Sequence, residues 1–202
     1  MIDNYQLVAG VDEVGRGALF GPVVAAVVVT SPDVLQKFAS LGVTDSKQLS
    51  SKKRSELAIE IKKWALDYQI ASATAQEIDS INILQASLLA MKRAIYQLKT
   101  TPELCLIDGK YEIPGLELPQ KTLIKGDRHS LAIAAASILA KVWRDDLVTK
   151  LAQDYPEYGL GTHKGYPTKQ HRLALQKYGS SAEHRQSFRP CQVNKNNYKS
   201  KK

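Results

Sequence analysis

The stretch VAGVDEVGRGALFGP, residues 8–22, decides the fold together with VVAAVVVT, residues 23–30, which follows it directly. Alternating apolar residues in the first stretch lead to two adjacent carboxylates, Asp12 and Glu13, and predict a strand over residues 5–12. The second stretch is apolar and β-branched on both faces, which is typical of a central strand that is covered on both sides of a sheet. A hairpin-like connection through the intervening glycines would make the two strands antiparallel neighbours.

The loop between these strands contains Gly15, Arg16 and Gly17. The glycines let the backbone come close to a ligand, and the arginine between them can face a phosphate. Carboxylates at the end of a strand can hold a hard cation such as Mg²⁺. A metal site beside a phosphate-compatible loop favours phosphoryl-transfer chemistry. A dinucleotide-binding loop is excluded, because the glycine spacing is wrong and a strand follows instead of a helix.

Beyond residue 30 the sequence pattern alternates between helices and strands. Apolar periodicity and capping residues predict helices over residues 50–66, 84–98, 131–142 and 167–178. Short apolar runs predict strands at residues 68–74, 104–107 and 122–125. The helix over residues 131–142 is apolar nearly all round and should be buried. Strands first, followed by alternation with helices, indicate an α/β layered fold with a helical C-terminal part.

Four carboxylates stand where metal ligands would be expected. Asp12 and Glu13 end the first strand, Asp108 ends the strand over residues 104–107, and Asp127 precedes the buried helix. Carboxylates at neighbouring strand ends can converge on one sheet edge, where two Mg²⁺ ions about 4 Å apart would offset their repulsion. Taken singly, Asp108 can start a turn and Asp127 can cap a helix. Asp12 and Glu13 can share a site only if the strand ends there, because adjacent strand residues point to opposite faces.

Two further loops contain residues that suit nucleic-acid phosphates. In TDSK, residues 44–47, Ser46 and Lys47 can hold a phosphate, although the loop taken alone favours an ordinary turn. In GTHKGYP, residues 161–167, Lys164 supplies a cation, and Tyr166 can stack on a sugar or base or can simply pack. Clustered His and Cys ligands for zinc are not evident. Solvation or an ordinary hydrogen bond is expected for three histidines: His129, His171 and His184.

The chain of 202 residues is long enough to bury a full core, and it carries a net charge of +8. The last nine residues, NKNNYKSKK, contribute four lysines and no acid, which leaves +4 for the rest of the chain. A mildly basic body is compatible with a nucleic-acid partner. We expect one domain over residues 1–193, including the C-terminal helices, and a basic, disordered tail over residues 194–202.

Cysteine usage and hydropathy indicate where the protein works. Cys105 and Cys191 form neither a paired framework nor a C-x-x-C metal spacing, which favours reduced, cytoplasmic surroundings. No basic region leads into an apolar core at the N-terminus, so a signal peptide is not expected. The longest apolar run, residues 23–29, is too short to span a bilayer, and we expect no membrane association. The sequence has no positive sign of an oligomer, and we expect a monomer.

Taken together, these segments resemble bacterial ribonuclease HII, the type 2 ribonuclease H family. The matching segments occur in the family's order across residues 6–190: VAGVDEVGRG, GPVVAAVVV, TDSKQLS, EIDSINILQAS, LCLIDGK, IKGD, IAAASILAKVWRD, HKGYPT and HRQSF. The resemblance implies an RNase H-like layered fold, with a five-stranded mixed sheet flanked by helices and a helical C-terminal region. The departures are modest and fall at Gln48 and residues 128–132.

The resemblance also implies an activity. Enzymes of this family are metal-dependent endonucleases that hydrolyse the RNA strand of RNA–DNA hybrids. They also incise duplex DNA on the 5′ side of a single embedded ribonucleotide, leaving 3′-hydroxyl and 5′-phosphate ends. By position, four acids look like the catalytic set that holds two Mn²⁺ or Mg²⁺ ions: Asp12, Glu13, Asp108 and Asp127.

Further residues match the family's substrate contacts. Gly15, Arg16 and Gly17 match the loop that contacts the 2′-hydroxyl at an RNA–DNA junction. Tyr166 matches a tyrosine that helps to sense that sugar. Ser46 and Lys47 match a pair that contacts phosphate. A loop and a tyrosine that read the 2′-hydroxyl form a sensible recognition device, because this hydroxyl alone separates a ribonucleotide from its deoxy neighbour.

Two other interpretations compete with this one. A non-catalytic nucleic-acid-binding protein could keep the same fold and basic face, but the intact acids oppose it. A nuclease of the same layered fold could cut junctions or plain DNA, but such an enzyme has no use for a reader of the 2′-hydroxyl. We therefore interpret the chain as a ribonuclease that acts in the removal of ribonucleotides from DNA.

Overall fold

Five strands form one mixed sheet in the computed structural model, which describes residues 5–192. The sheet order is β3-β2-β1-β4-β5, with β2 antiparallel to both β1 and β3, and with β4 parallel to both β1 and β5. The predicted hairpin of the first two strands is therefore confirmed, as is the five-stranded mixed sheet. The strands are β1 (Val8–Val14), β2 (Val23–Thr30), β3 (Asp67–Ala73), β4 (Leu104–Asp108) and β5 (Gln120–Leu123).

Helices cover both faces of this sheet. One face packs against α3, and the other packs against α1, α2 and α4. Because β2 is apolar on both sides, all eight of its residues are buried between these layers. The helices are α1 (Pro32–Leu41), α2 (Ser51–Trp64), α3 (Ala75–Tyr96), α4 (Leu131–Leu151), α5 (Leu160–His163) and α6 (Lys169–Tyr178).

Gly10 of β1 lets α4 approach the sheet more closely than any other residue would allow. A Cβ atom at this position would lie 2.0 Å from the carbonyl carbon of Ala132, in the first turn of α4. The start of α4 therefore rests directly on β1. This contact brings the short 3₁₀ helix Gly126–Arg128, which precedes α4, to the edge of the sheet that carries Asp12.

Several element boundaries differ from those predicted. Helix α1 was not predicted, although Ser31 caps it, Pro32 lies in its first turn and Gly42 ends it with φ of 78°. Helix α3 begins at Ala75, before the predicted residue 84, because the chain kinks at Asn82 and the apolar periodicity becomes regular only beyond that kink. Strand β1 covers Val8–Val14 instead of the predicted residues 5–12. Strand β5 ends at Leu123, because Lys125 has a left-handed backbone conformation and begins the next turn. Helix α4 continues nine residues past its predicted end at residue 142, to Leu151.

Hydrogen bonds to Asp79 of α3 link the C-terminal helical region to this helix. The Asp79 carboxylate accepts hydrogen bonds from the Gln186 amide and from the amide and hydroxyl of Ser187, at 2.6–2.8 Å. The segments EIDSINILQAS and HRQSF, which are about a hundred residues apart, thereby hold each other in place. The predicted tail over residues 194–202 lies outside the described residues. Within residues 5–192, no helix is both long enough and apolar enough to cross a membrane.

Candidate active site

Three carboxylates converge at one edge of the sheet. Oxygen atoms of Asp12, Glu13 and Asp108 all lie within 4.8 Å of one another. Asp12 and Glu13 lie on β1, and Asp108 is the last residue of β4, the parallel neighbour of β1. These three carboxylates therefore meet at the end of neighbouring strands, as the sequence predicts.

The register of β1 explains how two adjacent residues reach one place. The strand does not end at Asp12 as predicted, because it stays paired with β2 as far as Val14. Its ladder with β4, however, ends at Val11. Beyond Val11 the described part of the sheet therefore leaves that side of β1 open, and the side chains of Asp12 and Glu13 can approach Asp108 there. The Glu13 amide also donates to Asp12 Oδ1 at 2.7 Å, which turns that carboxylate along the strand.

Electrostatics at this edge favour a bound cation. Burial, followed by the charges of Glu13 and Asp108, raises the pKa of Asp12 well above its usual value. Burial also raises the pKa of Glu13, with a further contribution from Asp108, although Arg16 opposes the shift. Clustered carboxylate oxygens that repel each other suit a hard divalent ion, which would relieve the repulsion. The donor set therefore fits Mg²⁺ or Mn²⁺.

Asp127 lies beside this group but has a different partner. The amide of Gly126 donates to Asp108 Oδ1 at 2.7 Å, so the turn that carries Asp127 is fixed on the end of β4. The Asp127 carboxylate is buried and pairs with Lys47, with Oδ2 and Nζ 2.9 Å apart. The structure thus brings three of the four predicted acids within mutual ligand distance and places the fourth in an adjacent ion pair.

The TDSK loop is anchored on α4. The Ser46 hydroxyl is buried and shares a 2.9 Å hydrogen bond with the hydroxyl of Ser137 on α4. Asp45 accepts from the Lys47 amide at 3.0 Å and so opens a short 3₁₀ turn. The loop therefore points Ser46 inward and leaves the Lys47 side chain largely exposed at the acidic edge.

The glycine loop rests on a buried arginine. Gly15 has φ of 93°, a conformation that favours glycine, and a Cβ there would lie 2.2 Å from Nε of Arg144. Arg16 is exposed and donates to Glu13 Oε1 at 3.1 Å, so its guanidinium stands over the acidic edge. Gly17 is exposed, with open space around its Cα. The loop thus continues directly from the carboxylates.

Arg144 links the glycine loop to the loop that contains Lys164 and Tyr166. Its guanidinium donates to the carbonyl oxygens of Phe20, Pro22 and Lys164, at 3.0–3.1 Å. The ring of Tyr166 lies over the same guanidinium, with 5.4 Å between Cζ and the ring centroid. Arg144 therefore contacts both the glycine loop and Tyr166, the two parts that the sequence predicts to recognise the sugar. Lys164 Nζ itself donates to the Thr149 hydroxyl at 2.6 Å and to the Gly161 carbonyl at 2.7 Å.

Comparison with known proteins identifies the family of this chain. The family model of ribonuclease HII matches residues 9–191. The chain belongs to the ribonuclease HII family. Ribonuclease HII of Trichodesmium erythraeum (strain IMS101) is 59% identical over 186 residues, which cover 92% of this chain and 88% of that protein. Ribonuclease HII of Acaryochloris marina (strain MBIC 11017) is 52% identical over 193 residues, which cover 96% and 98%.

A solved structure supports the same assignment. The crystal structure of ribonuclease H2 from Pyrococcus horikoshii OT3 superposes with a TM-score of 0.83 at 28% sequence identity, and the match covers 96% of this chain and 99% of that one. This member of the ribonuclease HII family is therefore a type 2 ribonuclease H, a metal-dependent hydrolase of RNA–DNA hybrids. Its RNase H-like fold confirms the predicted fold class.

Sequence reasoning missed two arginines that organise this ribonuclease HII site. Arg144 and Arg185 are fully buried, and neither forms an ion pair among the described residues. Arg185 donates to the carbonyl oxygens of Gly21 and Arg16 at 3.0 and 2.9 Å. Burial and then the charge of Arg144 lower the pKa of Arg185 to about 9. A signal for Arg144 existed, since it falls on the buried face of α4, seven residues after Ser137.

Proposed function

We propose that this enzyme incises duplex DNA on the 5′ side of a single embedded ribonucleotide, in addition to hydrolysing the RNA strand of hybrids. The products would carry 3′-hydroxyl and 5′-phosphate ends. The observation that carries this proposal is the position of Arg144, which holds the glycine loop and Tyr166 together next to the carboxylate cluster. An enzyme that recognised its substrate only by charge and by the shape of the groove would not need the glycine loop and Tyr166 held together by one buried guanidinium.

Four acids would hold the metal ions that the reaction requires. Asp12, Glu13 and Asp108 would bind them directly, and Asp127 would join by exchanging its partner Lys47 for an ion. Two bound Mg²⁺ or Mn²⁺ ions would supply an activated water and a counter-charge for the leaving oxygen in a phosphodiester hydrolysis. Arg16, held over Glu13, would remain close to the scissile phosphate as a fixed positive charge.

Recognition of the ribose would fall to the glycine loop and Tyr166. The backbone of Gly15 and Gly17 can approach a sugar closely, and the tyrosine ring can lie against it. The 2′-hydroxyl is the group that these parts would read, because it is absent from every deoxynucleotide of the same strand. Lys47 and Lys164 would contact neighbouring phosphates, and the buried Ser46 would fix the loop that presents Lys47.

The test uses an end-labelled DNA duplex that contains one ribonucleotide. The enzyme is incubated with it in the presence of Mg²⁺, of Mn²⁺ or of a chelator, and the fragments are mapped at nucleotide resolution with their termini identified. We expect one metal-dependent cut on the 5′ side of the ribonucleotide, with a 3′-hydroxyl and a 5′-phosphate. An all-DNA duplex of the same sequence serves as the negative control, and a continuous RNA–DNA hybrid serves as the positive control.

The outcomes separate the alternatives. Cleavage of the long hybrid without any cut at the single ribonucleotide would restrict the enzyme to hybrids and would overturn the proposal. Equal cutting of the all-DNA duplex would remove any role for the 2′-hydroxyl. A 2′,3′-cyclic phosphate at the cut would mean that the ribose hydroxyl, rather than water, is the nucleophile.

A further inference from the structure

A cluster of three buried histidines lies directly behind Tyr166. His163, His171 and His184 come from α5, α6 and the segment after α6, and the last two are completely buried. The rings of His163 and His171 stack at a centroid distance of 4.6 Å. Nε2 of His171 and Nε2 of His184 are 3.0 Å apart. The reaction scheme above uses none of these rings.

Backbone atoms at both ends of the His184–His171 pair define where the protons of these two rings lie. At one end, the Ser181 amide is 3.0 Å from Nδ1 of His184, and because an amide can only donate, this nitrogen must be an acceptor. The proton of a neutral His184 is therefore on Nε2 and is donated to Nε2 of His171. That leaves the proton of His171 on Nδ1, which is 3.0 Å from the carbonyl oxygen of Tyr166. A carbonyl can only accept, so the assignment made from one end agrees with the requirement at the other end.

This arrangement requires both rings to be neutral. A second proton on His184 would point at the Ser181 amide, and a second proton on His171 would point at the Nε2 proton of His184. The surroundings also disfavour charge, since Phe20 and Tyr158 pack their rings against His184. Burial, and then the neighbouring His171, lower the pKa of His184 to about 3, and burial lowers the pKa of His171.

The cluster holds the backbone of Tyr166 on both sides. His171 donates to its carbonyl oxygen, and its amide donates to the carbonyl oxygen of His163 at 3.0 Å. The same residue presents its ring to the guanidinium of Arg144. The position of this ring therefore depends on a peptide unit that two of the three histidines fix.

We propose that His184 and His171 form a neutral, one-directional hydrogen-bond relay that positions Tyr166 for recognition of the ribose. Both are positioning residues, since neither ring can reach a substrate from its buried place. The inference rests on the proposed role of Tyr166 in reading the 2′-hydroxyl. It adds that the accuracy of this reading depends on histidine tautomers in the C-terminal helical region.

The proton positions can be read directly by NMR on the full-length wild-type chain. Long-range ¹H–¹⁵N correlation spectra distinguish imidazoles protonated at Nδ1 from those protonated at Nε2, and the chain contains only four histidines. We expect a neutral Nε2–H form for His184 and a neutral Nδ1–H form for His171 at pH 7. The exposed His129 should show averaged signals and serves as the internal control. The opposite tautomer at either ring, or a charged ring at pH 7, would overturn the relay.

Kinetics then test whether the relay acts through Tyr166. His171→Leu removes the donor, whereas His171→Asn keeps an amide N–H close to the position of Nδ1. Loss of one such hydrogen bond should lower kcat/KM at a single embedded ribonucleotide about tenfold for the leucine variant, and the asparagine variant should recover most of it. Leu173→Ala, an exposed change on the same helix, is the matched control and should leave the rate unchanged.

A double-mutant cycle separates positioning from general stability. In a Tyr166→Ala background, His171→Leu should cause no further loss at the single ribonucleotide, because the group that it positions is already gone. An undiminished tenfold loss in that background would show a merely structural role and would overturn the proposal. If Tyr166→Ala alone leaves ribonucleotide cleavage unchanged, the proposed role of the tyrosine fails, while the tautomer spectra still decide whether the relay exists. Should the leucine variant not fold, the asparagine variant and the wild-type spectra carry the test.

Discussion

Lys47 and Asp127 form an ion pair across the acidic edge, with 2.9 Å between Nζ and Oδ2, although they are 80 residues apart in the chain. Burial tends to lower the pKa of Lys47, but the hydrogen bond and charge of Asp127, followed by the charges of Asp12 and Asp45, raise it above its usual value. Lys47 is therefore a firmly protonated cation that competes with any metal ion for the Asp127 carboxylate.

This competition predicts that removing the charge of Lys47 strengthens metal binding. Lys47→Gln should tighten Mn²⁺ binding by about threefold in the absence of substrate, because one positive charge near the incoming cation is lost. Lys47→Arg keeps the charge and should bind Mn²⁺ like the wild type. A calorimetric titration of the three proteins measures the effect. Unchanged affinity in the glutamine variant would mean that Asp127 contributes nothing to the metal site.

Asp12→Asn should have opposite effects on activity and stability. The change removes a charged ligand, so cleavage should fall by about 10³-fold or more. It also removes a buried negative charge that Glu13 and Asp108 repel, so the metal-free protein should melt at a higher temperature than the wild type. Cleavage assays and thermal melts in a chelator check both signs. Asp154→Asn, at an exposed acid, is the control, and a variant of Asp12 with near wild-type turnover would contradict the assignment.

Gly15→Ala and Gly17→Ala form a matched pair for the glycine loop. Alanine at position 15 would need φ of 93° and would place its Cβ against the buried guanidinium of Arg144, whereas position 17 has open space. We expect the first change to lower the free energy of unfolding by about 1–3 kcal/mol, and the second by well under about 1 kcal/mol. Urea denaturation measures both values. Equal stabilities would show that the loop does not depend on its contact with Arg144.

Much of the sheet and of the acidic edge could be predicted from local sequence. The alternation around Asp12 and the apolar run over residues 23–30 revealed two neighbouring strands, and Asp108 stood at the end of another. These signals are local, since side-chain periodicity and strand ends are properties of a few consecutive residues. Helix α1 has such local signals too, in Ser31 at its start and Gly42 at its end.

The assembly around the glycine loop could not be predicted in the same way. Arg144 reaches carbonyl oxygens 122 and 124 residues away, and Arg185 reaches one 169 residues away. No spacing along the chain reports such contacts, because they depend on how the layers pack. The histidine cluster is of the same kind: the sequence shows three isolated histidines, and only the folded C-terminal region brings their rings together.

The relay also predicts how stability depends on pH. His171 and His184 have pKa values below the usual 6.5 in the folded chain, so the unfolded chain binds protons that the folded chain does not. Their contribution to stability is complete above about pH 6.5 and is lost as the pH falls toward the folded-state pKa of each ring. For His184 that pKa is about 3, so the loss between these two pH values has a slope of about 1.4 kcal/mol per pH unit. His184→Gln keeps a donor toward His171 and removes one titrating ring. Urea denaturation of the metal-free proteins between pH 7 and pH 5 should therefore show that the free energy of unfolding changes with pH by about one proton less in the variant.

The raised pKa values of Asp12 and Glu13 act with the opposite sign, but their effects cancel in this comparison because both proteins contain these residues. Identical slopes would mean that His184 takes up a proton in the folded chain as readily as in the unfolded one.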